Sequence, residues 1–214
     1  RQEATADASL ARPRGPLLFS ILQAAGWPIV PLLLCSILAL ALIIERSLTL
    51  RESRVAPARL VDEVISVTRA SLPAADTVNK LADNSTLGNV MASGLRAIIA
   101  EPRFTEAMLR NAFEMAGRHA VHQLERFLNT IGTIAAAAPL LGLLGTVIGM
   151  IELFGAQGGG NDPAQLAHGI SVALYNTAFG LIVAIPSLMT HRYFKGVVEG
   201  YTVSMEEAAE RMVP

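Results

Sequence analysis

Three stretches of this chain contain no Asp, Glu, Lys or Arg: between Arg14 and Glu45, between Arg126 and Glu152, and between Asp162 and Arg192. Each exceeds the roughly 20 apolar residues an α-helix needs to cross the hydrocarbon core of a bilayer. In hydrocarbon every backbone N–H and C=O must find a partner within the protein, which leaves helices and closed barrels as spanning structures. Barrel strands alternate in polarity and run only ~10 residues. These runs are longer and continuous, so they read as helices. The fold class that follows is an all-α integral membrane protein with three transmembrane helices, at residues 28–46, 129–154 and 167–190. Composition agrees. Charged residues make up 16 % of the chain and hydrophobic ones 52 %, whereas a soluble domain carries about 25 % charged residues.

The first residue is Arg1 rather than Met, so the start is expected to be processed, trimmed or renumbered. The apolar stretch from Gly15 to Ile44 is too long for a signal-peptide core and lacks a clean A-x-A site. It reads as a retained membrane segment. Residues 1–27 are expected outside the membrane, with a short interfacial helix over 16–26 and Trp27 as an interfacial anchor. Orientation follows from the basic residues. The segment from Arg51 to Arg126 is rich in Arg and Lys, and Arg192 and Lys195 follow the third span at once, but residues 155–166 hold neither. The middle segment (47–128) and the C-terminal helix (191–214) are therefore expected in the cytoplasm, and the N-terminus and the 155–166 loop in the periplasm. Arg12 and Arg14 argue weakly the other way.

The middle segment reads as helices. Pro57 and Pro73 sit where helices begin, and Ser85 or Thr86 suits a cap. From Thr105 onward Leu109, Ala112, Phe113, Ala116, Ala120, Leu124 and Phe127 recur at helical spacing. Nothing in the sequence separates that pattern from the second span, so one helix is expected over about 105–154, roughly 75 Å long at the helical rise. The third helix is expected to run on through the acidic tail. The second and third helices would thus extend beyond the membrane into a cytoplasmic helical bundle.

The first span is rich in Leu and Ile and reads as lipid-facing. The other two differ. In the second, Ala135, Ala138, Gly142, Gly145, Thr146 and Gly149 fall on one face; in the third, Gly169, Ala173, Asn176, Thr177, Gly180, Ala184 and Ser187 do the same. Small residues let helix backbones approach closely, as in Gly-x-x-x-Gly pairs. That packing role suits Gly142, Gly145, Gly149, Ala173, Gly180 and Ala184. Polar groups at bilayer depth are expensive and tend to face an interior path. Thr146, Thr177 and Asn176 are therefore candidates to line a pore or a proton pathway. A threonine can instead bond its own helix backbone and be silent.

No ion pair and no metal-ligand cluster lies within the spans, so no metal site and no cofactor is expected. Glu45, beside Arg46, reads as an interfacial charge. Glu152 lies near the outer end of the second span, and His168 is more often a simple polar residue than a relay. Cys35, the single cysteine, reads as a buried apolar residue. The loop Gly155-Ala156-Gln157-Gly158-Gly159-Gly160-Asn161-Asp162-Pro163 follows a helix and lacks a Lys-Ser/Thr pair, which excludes a phosphate-binding reading. No nucleophile–base pair suggests an enzyme, and the near-zero net charge gives no reason to expect nucleic acid as a partner. If protons cross here, the titrating carboxylate must come largely from another chain.

The run Ala138-Pro139-Leu140-Leu141-Gly142-Leu143-Leu144-Gly145-Thr146-Val147-Ile148-Gly149-Met150 resembles the second-span motif of the ExbB/TolQ/MotA proton-channel family. The run from Gly169 to Pro186, with Asn176-Thr177 at its centre, resembles the third-span motif, and Glu45-Arg46 also looks familial. The clear match covers about 135–195, and the ExbB branch fits best; the MotA branch has four spans and a larger cytoplasmic portion. The resemblance implies a homopentamer around a dimer of ExbD- or TolR-like single-span subunits, each supplying a transmembrane aspartate. It implies protons as the coupling ion. It also implies a TonB-like protein driven by the motor for outer-membrane uptake of iron–siderophore complexes and vitamin B12. The family's pore threonines match Thr146 and Thr177. Where ExbB and TolQ commonly place a glutamate early in the third span, this chain has Val172, leaving the partner's aspartate as the main proton carrier. A TolQ-like role in envelope integrity, another motor stator, or a non-conducting membrane scaffold are the alternatives.

Overall fold

The computed structural model describes residues 26–70, 72–101, 103, 105–155 and 163–213. The interfacial helix expected over 16–26 and most of the glycine-rich loop lie outside the described residues, as does the side chain of His168. The described residues form eight helices and no strand: α1 Ile29–Thr49, α2 Glu52–Val55, α3 Leu60–Ala70, α4 Ala75–Asn84, α5 Thr86–Ala100, α6 Glu106–Glu125, α7 Leu128–Gly155 and α8 Pro163–Met212. Three helical runs are long and apolar enough to cross a membrane: α1, the run Glu106–Gly155 that comprises α6 and α7, and the Gly169–Met212 part of α8.

The chain divides into two compact units. In the first, the described residues up to Ala39 join Ile134–Pro186. Its polarity is that of a membrane protein. Large apolar side chains point outward, among them Leu34 and Ile37 on α1, Leu140 and Ile151 on α7, and Ile182 and Ile185 on α8. The interior is made of small residues, with Ala138 fully buried and Ala184 nearly so, packed with Leu32, Leu141, Phe179 and Val183. In water this arrangement would expose far too much apolar surface; in lipid it leaves the close helix contacts to the residues that permit them. Pro139 and Pro186 sit inside α7 and α8, a use of proline that membrane helices tolerate.

The second unit comprises Leu40–Thr133 and Ser187–Pro214. It has an ordinary hydrophobic core in which α4 packs on α5 and α5 on α6. Val78, Met91, Leu95, Leu109, Phe113 and Val198 are among its buried residues. Ser85 caps α5 as its side chain suggested, accepting the Gly88 amide at 3.0 Å, and Thr105 caps α6, accepting from Met108 at 3.4 Å. The helices after Pro57 and Pro73 start slightly later than the prolines themselves, at Leu60 and Ala75. The Pro57 carbonyl accepts the Leu60 amide at 3.0 Å, so proline forms the turn that leads into the helix rather than its first residue. α8 begins at Pro163, within the stretch expected to be loop, where proline's missing N–H is no loss in a first helical turn. As expected, it continues through the acidic tail.

The single helix expected over 105–154 is interrupted at two residues. α6 ends at Glu125; Arg126 adopts φ −50, ψ 135, and Phe127 has φ 68, after which α7 starts at Leu128. The helical periodicity across this point is intact in the sequence. At this point a residue distant in sequence, Arg46, contacts the Leu124 carbonyl and the Phe127 ring, which no local pattern reveals.

Candidate functional site

α7 and α8 meet in the first unit along the two faces of small residues. The closeness of that seam is read from what a side chain at each glycine would strike. A Cβ on Gly142 would lie 2.7 Å from the Asn176 carbonyl oxygen and 3.1 Å from the Thr177 Cα. One on Gly180 would lie 2.6 Å from the Ala138 carbonyl oxygen and 3.2 Å from the Gly142 Cα. These are backbone atoms with nowhere to go, so both positions require glycine. On Gly145 it would meet the Asn176 side chain at 2.9 Å, and on Gly149 the Ala173 Cβ at 3.3 Å and Cα at 3.7 Å. Ala173 and Ala184 are buried in the same unit. Gly142, Gly145, Gly149, Ala173, Asn176 and Gly180 thus share one interface.

This approach brings two hydroxyls together. Thr146 Oγ1 and Thr177 Oγ1 are 2.5 Å apart. Thr146 Oγ1 also lies 3.2 Å from the carbonyl oxygens of Gly142, on its own helix, and Ala173, on the facing one. Thr177 Oγ1 lies 3.4 Å from the Gly142 carbonyl oxygen. Each hydroxyl has one proton to give and two lone pairs to receive. The pair therefore has two orders: Thr146 donates to Thr177 while Thr177 donates to Gly142, or Thr177 donates to Thr146 while Thr146 donates to Gly142 or Ala173. Reversing the chain needs only rotation about two C–O bonds. Both threonines are half-buried, so each keeps some surface for a third group, whereas Asn176 is 2 % exposed and sits fully inside the seam against Gly145.

A threonine hydroxyl neither gains nor loses a proton at any pH a cell reaches. The seam can donate to and accept from a titrating group but cannot be one. No carboxylate lies in α7 before Glu152 or in α8 before Glu199, and among the described residues no group of three or more His, Cys, Asp or Glu is placed to hold a metal.

Glu45 lies elsewhere, in the second unit. Its carboxylate receives Arg46 Nε at 2.5 Å, Arg46 Nη2 at 2.8 Å and the Thr49 hydroxyl at 3.0 Å. Arg46 itself is 4 % exposed. Sequence reasoning treated this pair as an interfacial charge and missed the burial of the arginine. Neighbours in sequence do not face one another on a helix, so the pairing gives no periodic signal. His191 was also passed over: its Nδ1 donates to the Leu128 carbonyl at 2.9 Å, and its ring lies where a Cβ on Gly132 would be 3.0 Å away. No local sequence signal could have found it, since its carbonyl partner lies 63 residues away.

Residues 82–207, which take in all of α7 and α8 as far as residue 207, match the model of the MotA/TolQ/ExbB proton channel family. The chain is 36 % identical over 179 residues to the biopolymer transport protein ExbB-like 3 of Synechocystis, covering 82 % of this chain and 83 % of that one. It is 30 % identical over 171 residues to the biopolymer transport protein exbB1 of Vibrio cholerae, covering 78 % and 74 %. This chain belongs to the MotA/TolQ/ExbB proton channel family. Similarity also extends to the Tol-Pal system protein TolQ of Haemophilus influenzae, at 34 % identity over 95 residues and 42 % of each chain. As a MotA/TolQ/ExbB protein it is a proton-channel-type membrane subunit, from a family of channels rather than of enzymes.

Proposed function

We propose that this chain is an ExbB-like subunit of an inner-membrane motor driven by the proton-motive force, working with an ExbD- or TolR-like single-span partner to energise TonB-dependent outer-membrane transport. The observation that carries the reading is the Thr146–Thr177 hydroxyl pair in a seam with no acid of its own. A partner helix that brings an aspartate to the exposed edge of the pair would find donors and acceptors for either protonation state. The hydroxyl chain can reverse, so it can serve the carboxylate as donor and the carboxylic acid as acceptor. The membrane potential supplies about 2.3 kcal/mol per charge per 100 mV, enough to bias repeated protonation and release. Protons are the coupling ion, and no other cofactor is required.

In this reading residues 47–128 and 191–214 stand in the cytoplasm, and residues 155–166 face the periplasm. The charge pattern of the sequence supports that topology. Homopentamers surround the partner, whose aspartate does the titrating in place of the residue that Val172 replaces. A TolQ-like role in envelope integrity is the second reading, favoured by the similarity to the Haemophilus TolQ. Replacing Thr146 and Thr177 by Val in cells that depend on iron–siderophore uptake tests the first: the complex should assemble and uptake should fail. Wild-type uptake with both threonines replaced would support a scaffold instead. Normal uptake in a deletion strain that leaks periplasmic protein would support the TolQ-like role.

A further inference from the structure

One side chain, Arg46, contacts both sides of the interruption between α6 and α7. In an uninterrupted helix the Leu124 carbonyl accepts the amide four residues on; the turn at Arg126 and Phe127 breaks that pattern. Arg46 Nη1 donates to the Leu124 carbonyl oxygen at 3.1 Å, while Nε and Nη2 grip the two oxygens of Glu45. The Arg46 guanidinium lies 5.3 Å from the centre of the Phe127 ring, and that of Arg126 lies 4.7 Å from it. Phe127 is the one non-glycine with positive φ among the described residues, at 68°. That region is disfavoured for any residue with a Cβ and exceptional for a bulky one. Such a conformation persists only where its surroundings over-determine it.

We propose that Arg46 is a positioning residue for α7: through the Leu124 carbonyl and the Phe127 ring it fixes the break at which α6 stops and α7 begins. An ion pair is weak evidence for stability in itself, all the more with the Glu45 side chain 42 % exposed. The geometry here has a more specific use, since the planar fork takes both oxygens of a carboxylate and still donates to a backbone carbonyl, a fixed arrangement that a lysine's point charge does not offer. α7 is the helix that carries Gly142, Gly145 and Thr146. The inference does not depend on which machine the chain belongs to.

Amide hydrogen exchange on the full chain in detergent micelles tests it, using Arg46→Met, Phe127→Gly and the double variant. Arg46→Met should accelerate exchange over residues 124–131 roughly tenfold or more and leave α4 and α5 unchanged. Glycine adopts positive φ without steric penalty, so in the Phe127→Gly background the effect of Arg46→Met should shrink by at least roughly threefold. Wild-type exchange over 124–131 in Arg46→Met would overturn the proposal. So would uniform acceleration across the chain, or an equal effect of Arg46→Met with and without Phe127→Gly.

Discussion

At the scale of single residues, the seam between α7 and α8 is graded, and the grading is testable. Gly142 and Gly180 face backbone atoms that cannot give way, so Gly142→Ala and Gly180→Ala should each destabilise the chain by about 1–3 kcal/mol, the usual penalty for overpacking. Gly149 faces Ala173, with its Cβ at 3.3 Å and its Cα at 3.7 Å from an added Cβ, and Gly196 and Gly200 have nothing within 4 Å of one. Gly149→Ala should be nearly neutral, and Gly196→Ala and Gly200→Ala should stabilise by up to about 1 kcal/mol through helix propensity. Thermal unfolding in detergent, compared across the five variants, reads the order directly. Helical spacing alone placed Thr146 with Gly142 and Gly149, and Thr177 with Ala173 and Gly180. It could not say which residue meets which, because that depends on how each helix is rotated about its axis. Thus Asn176, grouped with the threonines as a polar residue of the same face, is enclosed against Gly145 while they sit at the half-buried edge. The buried role of Arg46 was beyond reach for a stronger reason: its partners are the adjacent Glu45 and a carbonyl 78 residues away.

At the scale of elements, the charge-free apolar runs found the membrane-capable helices because lipid rewards length and continuity, and the cap signal, being local, narrowed the start of α5 to Ser85 or Thr86, of which Ser85 is the cap. The apolar periodicity missed the α6–α7 break because Arg126-Phe127 carries neither glycine nor proline, and the contacts that Arg46 makes there come from α1. The pairing of α5 with α6 was likewise hidden in the pattern. Gly94 on α5 receives the ring of Phe113 on α6, and an added Cβ would collide with that ring. Gly94→Ala should therefore destabilise by about 1–3 kcal/mol. Phe113→Leu in the same chain should recover part of the loss, so that the double variant is less damaged than the sum of the singles. Thermal unfolding of the two singles and the double in detergent measures that coupling. Strict additivity would mean that the two residues do not share the contact.

At the scale of the whole molecule, three membrane-capable helices and family membership make this a proton-channel-type subunit, and two features of that reading remain to be measured. Topology is the first. Alkaline phosphatase fused after residue 90 or at the C-terminus should be inactive, and inserted within 156–160 it should be active, because the enzyme matures only in the periplasm; the reverse pattern would invert the orientation argued from Arg and Lys. Proton movement is the second, and it bears most directly on the central claim that α7 and α8 present a hydroxyl pair to an acid on another chain. The chain co-purified with its single-span partner and reconstituted into vesicles under an imposed potential should acidify the lumen measurably above empty vesicles. Thr146→Val with Thr177→Val should abolish that flux while the complex elutes at the same size. Undiminished flux from the intact double variant would contradict the account.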